Sequence, residues 1–502
     1  MKIASLVFLI TLFSSLTVAA ETRSERATSH YFASIQSHRQ KLAIFLHDMP
    51  KGADLHNHLG GASRAENMLR YAEPDLLCVN GKNFAVQVNP RCTRNYLLAE
   101  SKKKPALYNA IIDAWSMRNF HPGKESGHDH FFATFDKYLP ILQKHRTEML
   151  REVVEKACQE NLLYLELMIM PDNNRSGLLA SKMAWDANLS RLREKLLKNG
   201  LMPIIADISS QLESYDKKLN TIGRIKGKNT CADFKLRYLY QVLREQPPVQ
   251  VFAQLLTGFE LPTRDPRVVG LNLVQAEDGP IAMRDYTLQM QMVKFLHHLY
   301  PKVAISLHAG ELVPGLVPTQ DLRFHICQAV EIAHADRIGH GVDIRYEDNA
   351  EQLLSEMAKR HILVEINLSS NAAILNIKAN THPLLLYRRY RVPLALSTDD
   401  EGILRTSLSE QYQIAVLNYR FSYLSLKKLA RNSIQYSFLP GAKLWQDDNY
   451  QQVVLACVSS LKTSLLSADC QNFLNANQKA DLQWKLEQQF RHFEQQFSKN
   501  SR

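Results

Sequence analysis

The sequence predicts a parallel (β/α)8 barrel, the TIM-type α/β fold, and three observations point to it. Eight short runs rich in Val, Ile and Leu lack strict alternation, as strands buried on both faces do. Most of them are separated by stretches with helical periodicity. Histidines and acidic residues gather at the C-terminal ends of several runs, where barrel enzymes carry their sites.

The runs lie at residues 53–56, 164–170, 204–208, 268–274, 303–308, 337–340, 362–366 and 393–397. Amphipathic segments at 148–161, 284–300, 322–335 and 349–360 read as intervening helices. The wide spacing between the second and fourth runs places insertions near 209–250. Residues 75–105 form an insertion after the first strand. The barrel domain is expected over 49–440, with a short helical segment at 21–48 before it and C-terminal helices at 441–502 packed on it. In that extension Leu482, Leu486, Phe490, Phe493 and Phe497 share one helical stripe.

Composition narrows the class. The chain has 502 residues, 45% hydrophobic and 22% charged, which excludes wholesale disorder, a collagen-like fibre and a polytopic membrane protein. The net charge of +11 is spread out, and the densest basic run is only Lys102-Lys103-Lys104. A soluble basic surface is therefore expected, with no specific nucleic-acid partner. Residues 1–20 read as a signal peptide: Lys2, an apolar stretch centred on Leu6 to Ile10, then Val18-Ala19-Ala20 before Glu21. The run is short for a membrane span, so a secreted or periplasmic protein without stable membrane insertion after cleavage is expected. Seven cysteines follow, with no CxxC pair. Cys78 with Cys92, and Cys457 with Cys470, are candidate disulfides in an oxidising compartment; free buried thiols fit the sequence equally well.

Four clusters carry chemistry. His56-Asn57-His58 ends the first strand, and alternate strand residues face one side, so both imidazoles converge on the barrel mouth. His308-Ala309-Gly310-Glu311 ends the fifth and offers a third imidazole and a nearby carboxyl able to move protons. Arg337-Ile338-Gly339-His340-Gly341 ends the sixth, with His340 sterically open between glycines. Ser397-Thr398-Asp399-Asp400 ends the eighth, where one Asp can bind metal and its neighbour a substrate. Neutral imidazoles with a carboxylate suit Zn²⁺. Two-metal hydrolases on this barrel usually bridge their metals with a modified Lys at the fourth strand's end. The run Val268-Val269-Gly270-Leu271-Asn272-Leu273-Val274 has none, so one Zn²⁺ per chain is expected.

Together, Met49 to Leu59 (MPKGADLHNHL), the HAGE segment, RIGHG and STDD resemble the adenosine deaminase family, including its secreted growth-factor-like branch. The segment Asn432-Ser433-Ile434-Gln435-Tyr436-Ser437-Phe438-Leu439-Pro440 resembles that family's helix after the barrel. The resemblance implies that His56, His58, His308 and Asp399 hold zinc. It implies that Glu311 protonates ring N1 as water attacks C6, that His340 orients the attacking water, and that Asp400 is the acceptor for purine N7. The implied activity is hydrolytic deamination of adenosine, and of 2′-deoxyadenosine, to inosine and ammonia, with a purine nucleoside as small-molecule partner.

The chain departs from the family pattern at two points. Gly60 stands where an acidic residue commonly meets the ribose 5′-hydroxyl. Gln275 stands where a Gly usually offers its N–H to purine N3, with Glu277 beside it as a lining residue. Other 6-aminopurines, whether modified nucleosides, nucleotides or futalosine-type compounds, therefore remain open as substrates. A binding or signalling protein using the barrel as a scaffold is the reading from another class. A second triplet, His128-Asp129-His130, lies in a segment expected to form a lid of loop and helix near the ribose.

Overall fold

A computed structural model describes residues 22–88, 92, 97–123, 125–219, 231–463 and 465–498. The signal-peptide reading falls outside these residues. Eight parallel strands form the barrel in the order β1 (Gly52–His58), β4 (Leu162–Ile169), β5 (Lys235–Leu243), β6 (Val268–Val274), β7 (Ala304–Ala309), β8 (Arg337–His340), β9 (Leu363–Ile366) and β10 (Leu394–Leu396). A hairpin of β2 (Cys78–Val79) and β3 (Val86–Gln87) lies between β1 and β4. Every residue of β1, β4, β7's last five positions, β8, β9 and β10 is buried, as expected for a sheet covered on both faces. Closure comes from a parallel bridge between Asn57 and Asp399: the Asp399 N–H donates to the His56 carbonyl at 2.8 Å, and the His58 N–H to the Asp399 carbonyl at 3.3 Å. The backbone that shuts the barrel thus also brings the first strand's histidines beside Asp399.

Seven of the eight expected strands are present. The third is not where the sequence predicts it. Residues 204–208 lie in the helix Met202–Leu219, whose Ile205, Ile208 and Leu212 are buried at helical spacing. A five-residue apolar window cannot separate the two periods, and here the longer one rules. The true third strand, β5, falls inside the stretch expected as insertion. Lys235, Arg237 and Gln241 make it read as polar, and it is only partly buried at those positions.

Cys78–Cys92 closes the β2–β3 insertion, and Cys457–Cys470 pairs as well. Cys158–Cys231, unforeseen because 73 residues separate the two, joins the helix Arg146–Gln159 to the approach to β5. Cys327 is free.

The chain divides into two compact units. Ser29–Leu439 contains the barrel; the other joins the stretch before Ser29 to Pro440–Arg502. The second unit has its own apolar cluster, including Leu444, Trp445, Cys457, Cys470 and Trp484. In its helix Gln478–Ser498, Leu482, Leu486, Phe490 and Phe493 are buried.

Candidate active site

Three imidazoles meet at the C-terminal mouth of the barrel. Nε2 of His308 lies 3.1 Å from Nε2 of His56 and 3.2 Å from Nε2 of His58. Asp399 Oδ1 stands 3.5 Å and 3.3 Å from the same two nitrogens of His56 and His58. All four residues are buried. Donors bound at about 2.0–2.1 Å to one tetrahedral ion are about 3.3 Å apart, so the set fits a small cation such as Zn²⁺.

The outer ring nitrogens explain why the inner ones face each other. His56 Nδ1 is 2.7 Å from Glu365 Oε2, and His308 Nδ1 is 2.8 Å from Asn272 Oδ1. Both partners accept, so each ring carries its proton outward and turns a lone pair inward. His58 Nδ1 lies 2.9 Å from Gln241 Nε2; turning that amide over puts its oxygen there and gives His58 the same tautomer as the other two. Burial lowers His58 to about 4 and takes His308 well below the imidazole range, keeping both in the neutral, ligating form. At His56 burial also opposes charge, but Asp399 and Glu365 outweigh it and raise the group to about 10, so a metal held there would take the place of the Nε2 proton. Burial likewise opposes ionisation of Asp399, yet the histidines hold it well below the carboxylate range.

Behind His56 runs a buried ion network. Glu365 also accepts from Arg337 Nε at 2.6 Å and from Ser306 Oγ at 2.9 Å. Arg337 donates onward to Glu166 at 2.5 Å and to the Tyr436 carbonyl at 3.1 Å, and its guanidinium lies 3.6 Å from the Phe438 ring centroid. The post-barrel segment is thus tied to the site. Gly339 is required here, because a Cβ would come within 2.7 Å of the His56 ring.

Beside this set stand Glu311, His340 and Asp400, all buried. His340 Nδ1 is 3.4 Å from Glu311 Oε1, and its Nε2 is 4.0 Å from Asp399 Oδ2. Asn371 holds Nδ1 of His340 at 2.9 Å and is itself held by His382 at 3.0 Å. His340 and Asp399 adopt left-handed backbone, with φ of 67° and 61°, a strain typical of functional positions. Glu311 Oε1 and Asp400 Oδ1 are buried without a hydrogen-bond partner. Burial first, then the charge of Asp399, pushes both carboxyls well above their usual range. That corrects one expectation. Purine N7 is itself an acceptor, and a protonated Asp400 would meet it as a donor. A Cβ at Gly61 would overlap the Asp400 carboxyl, so that glycine makes its room.

Gln275 keeps the glycine-like backbone of the position, with φ of 80°. Its side chain turns away and accepts the Glu245 N–H at 3.0 Å. Glu277 does not line open space: its oxygens accept the Gly310 and Glu311 N–H groups and a ring proton from His325. Gly60 faces Phe135 and Leu142 of the helix Gly127–Lys144. That helix is tied by His128 Nε2 to Asp278, just after β6, at 2.9 Å. Sequence reading gave no role to Gln241, Asn272, Glu365, Arg337, Asn371 and His325, though Asn272 and Arg337 stand in runs it singled out. Asn272 and Glu365, lone polar residues inside apolar runs, were the available signals.

Residues 98–445 match the family described as adenosine deaminase. An N6-mAMP deaminase of Arabidopsis thaliana is 27% identical over 61% of this chain and 78% of that protein. An adenosine deaminase of Clostridium kluyveri is 22% identical over 78% of this chain and 90% of that protein. Among solved structures, an Arabidopsis N6-mAMP deaminase shares the fold at TM-score 0.53 and 20% identity, covering 79% of this chain and 95% of that one. A Burkholderia ambifaria amidohydrolase with bound Zn does so at TM-score 0.50 and 17% identity, covering 93% and 96%. With its site residues gathered at the mouth of an eight-stranded barrel and a family match over most of its length, the chain belongs to the adenosine deaminase family, the hydrolytic deaminases of purines.

Proposed function

We propose that this protein is an exported, zinc-dependent deaminase that converts adenosine and 2′-deoxyadenosine to inosine or its deoxy form and ammonia. The observation that carries it is the convergence of His56, His58, His308 and Asp399 beside two buried carboxyls, Glu311 and Asp400, each with one oxygen that accepts no hydrogen bond. A bound Zn²⁺ supplies Lewis acidity, making water nucleophilic near neutral pH. Glu311, kept protonated by burial, donates to ring N1 and makes C6 electrophilic. His340, neutral and lowered to about 3 by burial, orients the attacking water through Nε2, its Nδ1 being held by Asn371. Asp400 donates to N7, and the Gln275 N–H is offered to N3. Addition of water at C6 gives a tetrahedral carbon; one water proton passes to the amino group, which leaves as ammonia, and the other returns to Glu311 as the C6 carbonyl forms.

Gly60 favours a second reading on the same chemistry. Without a carboxylate at the 5′ end, an anionic nucleotide such as N6-methyl-AMP meets less repulsion. Ammonia or methylamine release from adenosine, 2′-deoxyadenosine and N6-methyl-AMP, measured with zinc content, separates the readings. No release from any of them, at full zinc loading, would leave the scaffold reading.

Export is supported by the leader-like residues 1–20 and by three disulfides among the described residues. Mass spectrometry of the mature protein should begin at or near Glu21; an intact Met1 in the membrane fraction would favour an anchor.

A further inference from the structure

Four side chains, Glu277, His325, Tyr286 and Arg244, brace the turn that carries Glu311. Glu277, three residues past β6, is buried. Its Oε2 accepts the Glu311 N–H at 2.8 Å, and its Oε1 accepts the Gly310 N–H at 3.0 Å. Oε1 also takes the Nδ1 proton of His325 at 2.6 Å. The His325 ring is fully buried and stacked on Tyr286, with centroids 3.7 Å apart and planes 15° apart. The Tyr286 hydroxyl donates to the His325 carbonyl at 2.8 Å, fixing the same residue a second time. Arg244 Nη2 donates to the His308 carbonyl at 2.8 Å, while its Nη1 stands 3.8 Å from Glu277.

A carboxylate that accepts two successive backbone N–H groups fixes two peptide planes. Those planes set the direction in which the Glu311 side chain leaves the backbone. Burial opposes the charge on Glu277, but His325 and Arg244 favour it and hold the group ionised. That charge, after burial and Asp399, also disfavours ionisation of Glu311.

We propose that Glu277, locked by His325, is a positioning residue that sets the turn presenting Glu311 and does not contact substrate. This rests on the reading of Glu311 as proton donor given above.

Glu277→Gln tests it. The amide keeps the size but can accept only one of the two N–H groups, and its own N–H₂ opposes the other. In the zinc-loaded full chain kcat should fall about 10²-fold, the loss typical of a slightly misplaced group, while KM and zinc content stay near wild type. Glu277→Gln combined with Glu311→Gln should be no slower than Glu311→Gln alone, because groups acting as one unit are not additive. Hydrogen-exchange mass spectrometry should show lost protection confined to the peptide spanning 308–311. His325→Gln should shift each readout in the same direction by less, and carries the test if Glu277→Gln does not fold. A raised KM with unchanged kcat would make Glu277 a substrate contact and overturn the proposal. Additive losses, or no change in exchange at 308–311, would overturn it as well. If wild type deaminates no 6-aminopurine, the functional reading fails, while the exchange experiment still decides whether the clamp exists.

Discussion

His56-Asn57-His58 and His128-Asp129-His130 share a spacing but not a geometry. The first pair lies on β1, where residues two apart face the same side, and its ring centroids are 5.3 Å apart beside His308. The second pair opens the helix Gly127–Lys144, where residues two apart diverge by about 200°. His128 pairs with Asp278 at 2.9 Å, whereas His130 pairs with Glu125 at 3.0 Å and the Ser116 carbonyl at 3.1 Å. Among the described residues, neither joins a cluster able to hold a metal. The same three letters make a candidate ligand pair or a tether according to the period of the element beneath them.

The largest expected effect breaks the first pair. His56→Ala or Asp399→Ala should each lose most of the bound metal by elemental analysis, while His128→Ala and His130→Ala retain it. Two equivalents of zinc in wild type would contradict a single site built on β1.

Next comes Glu311, which the pair serves. Glu311→Gln should keep zinc and bind a ground-state purine analogue, yet lose kcat by about 10²–10⁴-fold, the usual contribution of a general acid. Loss of zinc in this variant would instead mark Glu311 as a ligand.

The support of His56 is the third target. Arg337→Met takes the ion-pair partner from buried Glu166 and leaves Glu365 with His56 and Ser306 alone, which costs about 3–5 kcal/mol. Urea unfolding of the zinc-free chain should show this. A change within error would mean the network adds nothing to the frame around His56.

The smallest effect concerns the tether. Burial disfavours charge on His128, but Asp278 and Asp129 outweigh it and raise its pKa above the free value. A raised imidazole stabilises the fold fully below about pH 6.5 and loses that contribution as pH rises through the folded value. The difference in Tm between wild type and His128→Asn should therefore shrink from about pH 6 to about pH 9. A constant difference would show that the His128–Asp278 contact is not ionic.

Much of this protein was legible in one dimension. The apolar runs fixed seven strands because a strand buried on both faces must be apolar at nearly every position. The candidate ligand motifs were legible because each is local, two to four residues at one strand end, and the barrel gathers all such ends at one mouth. The candidate pairs Cys78–Cys92 and Cys457–Cys470 close short loops, and spacing alone suggested them.

What the tertiary structure decided is what depends on partners far apart in the chain. Residues 204–208 became helix because Ile205, Ile208 and Leu212 find a buried face together. Lys235–Leu243 became a strand because β4 and β6 pair with it on both sides despite its charges. Glu277 moved from substrate contact to clamp because the Gly310 and Glu311 N–H groups, 33 and 34 residues away, claim its oxygens. Glu365 carries no motif of its own, and Arg337 stands in one read only for His340. They matter because folding buries opposite charges side by side behind His56, and a buried charge must find its partner wherever the chain brings one.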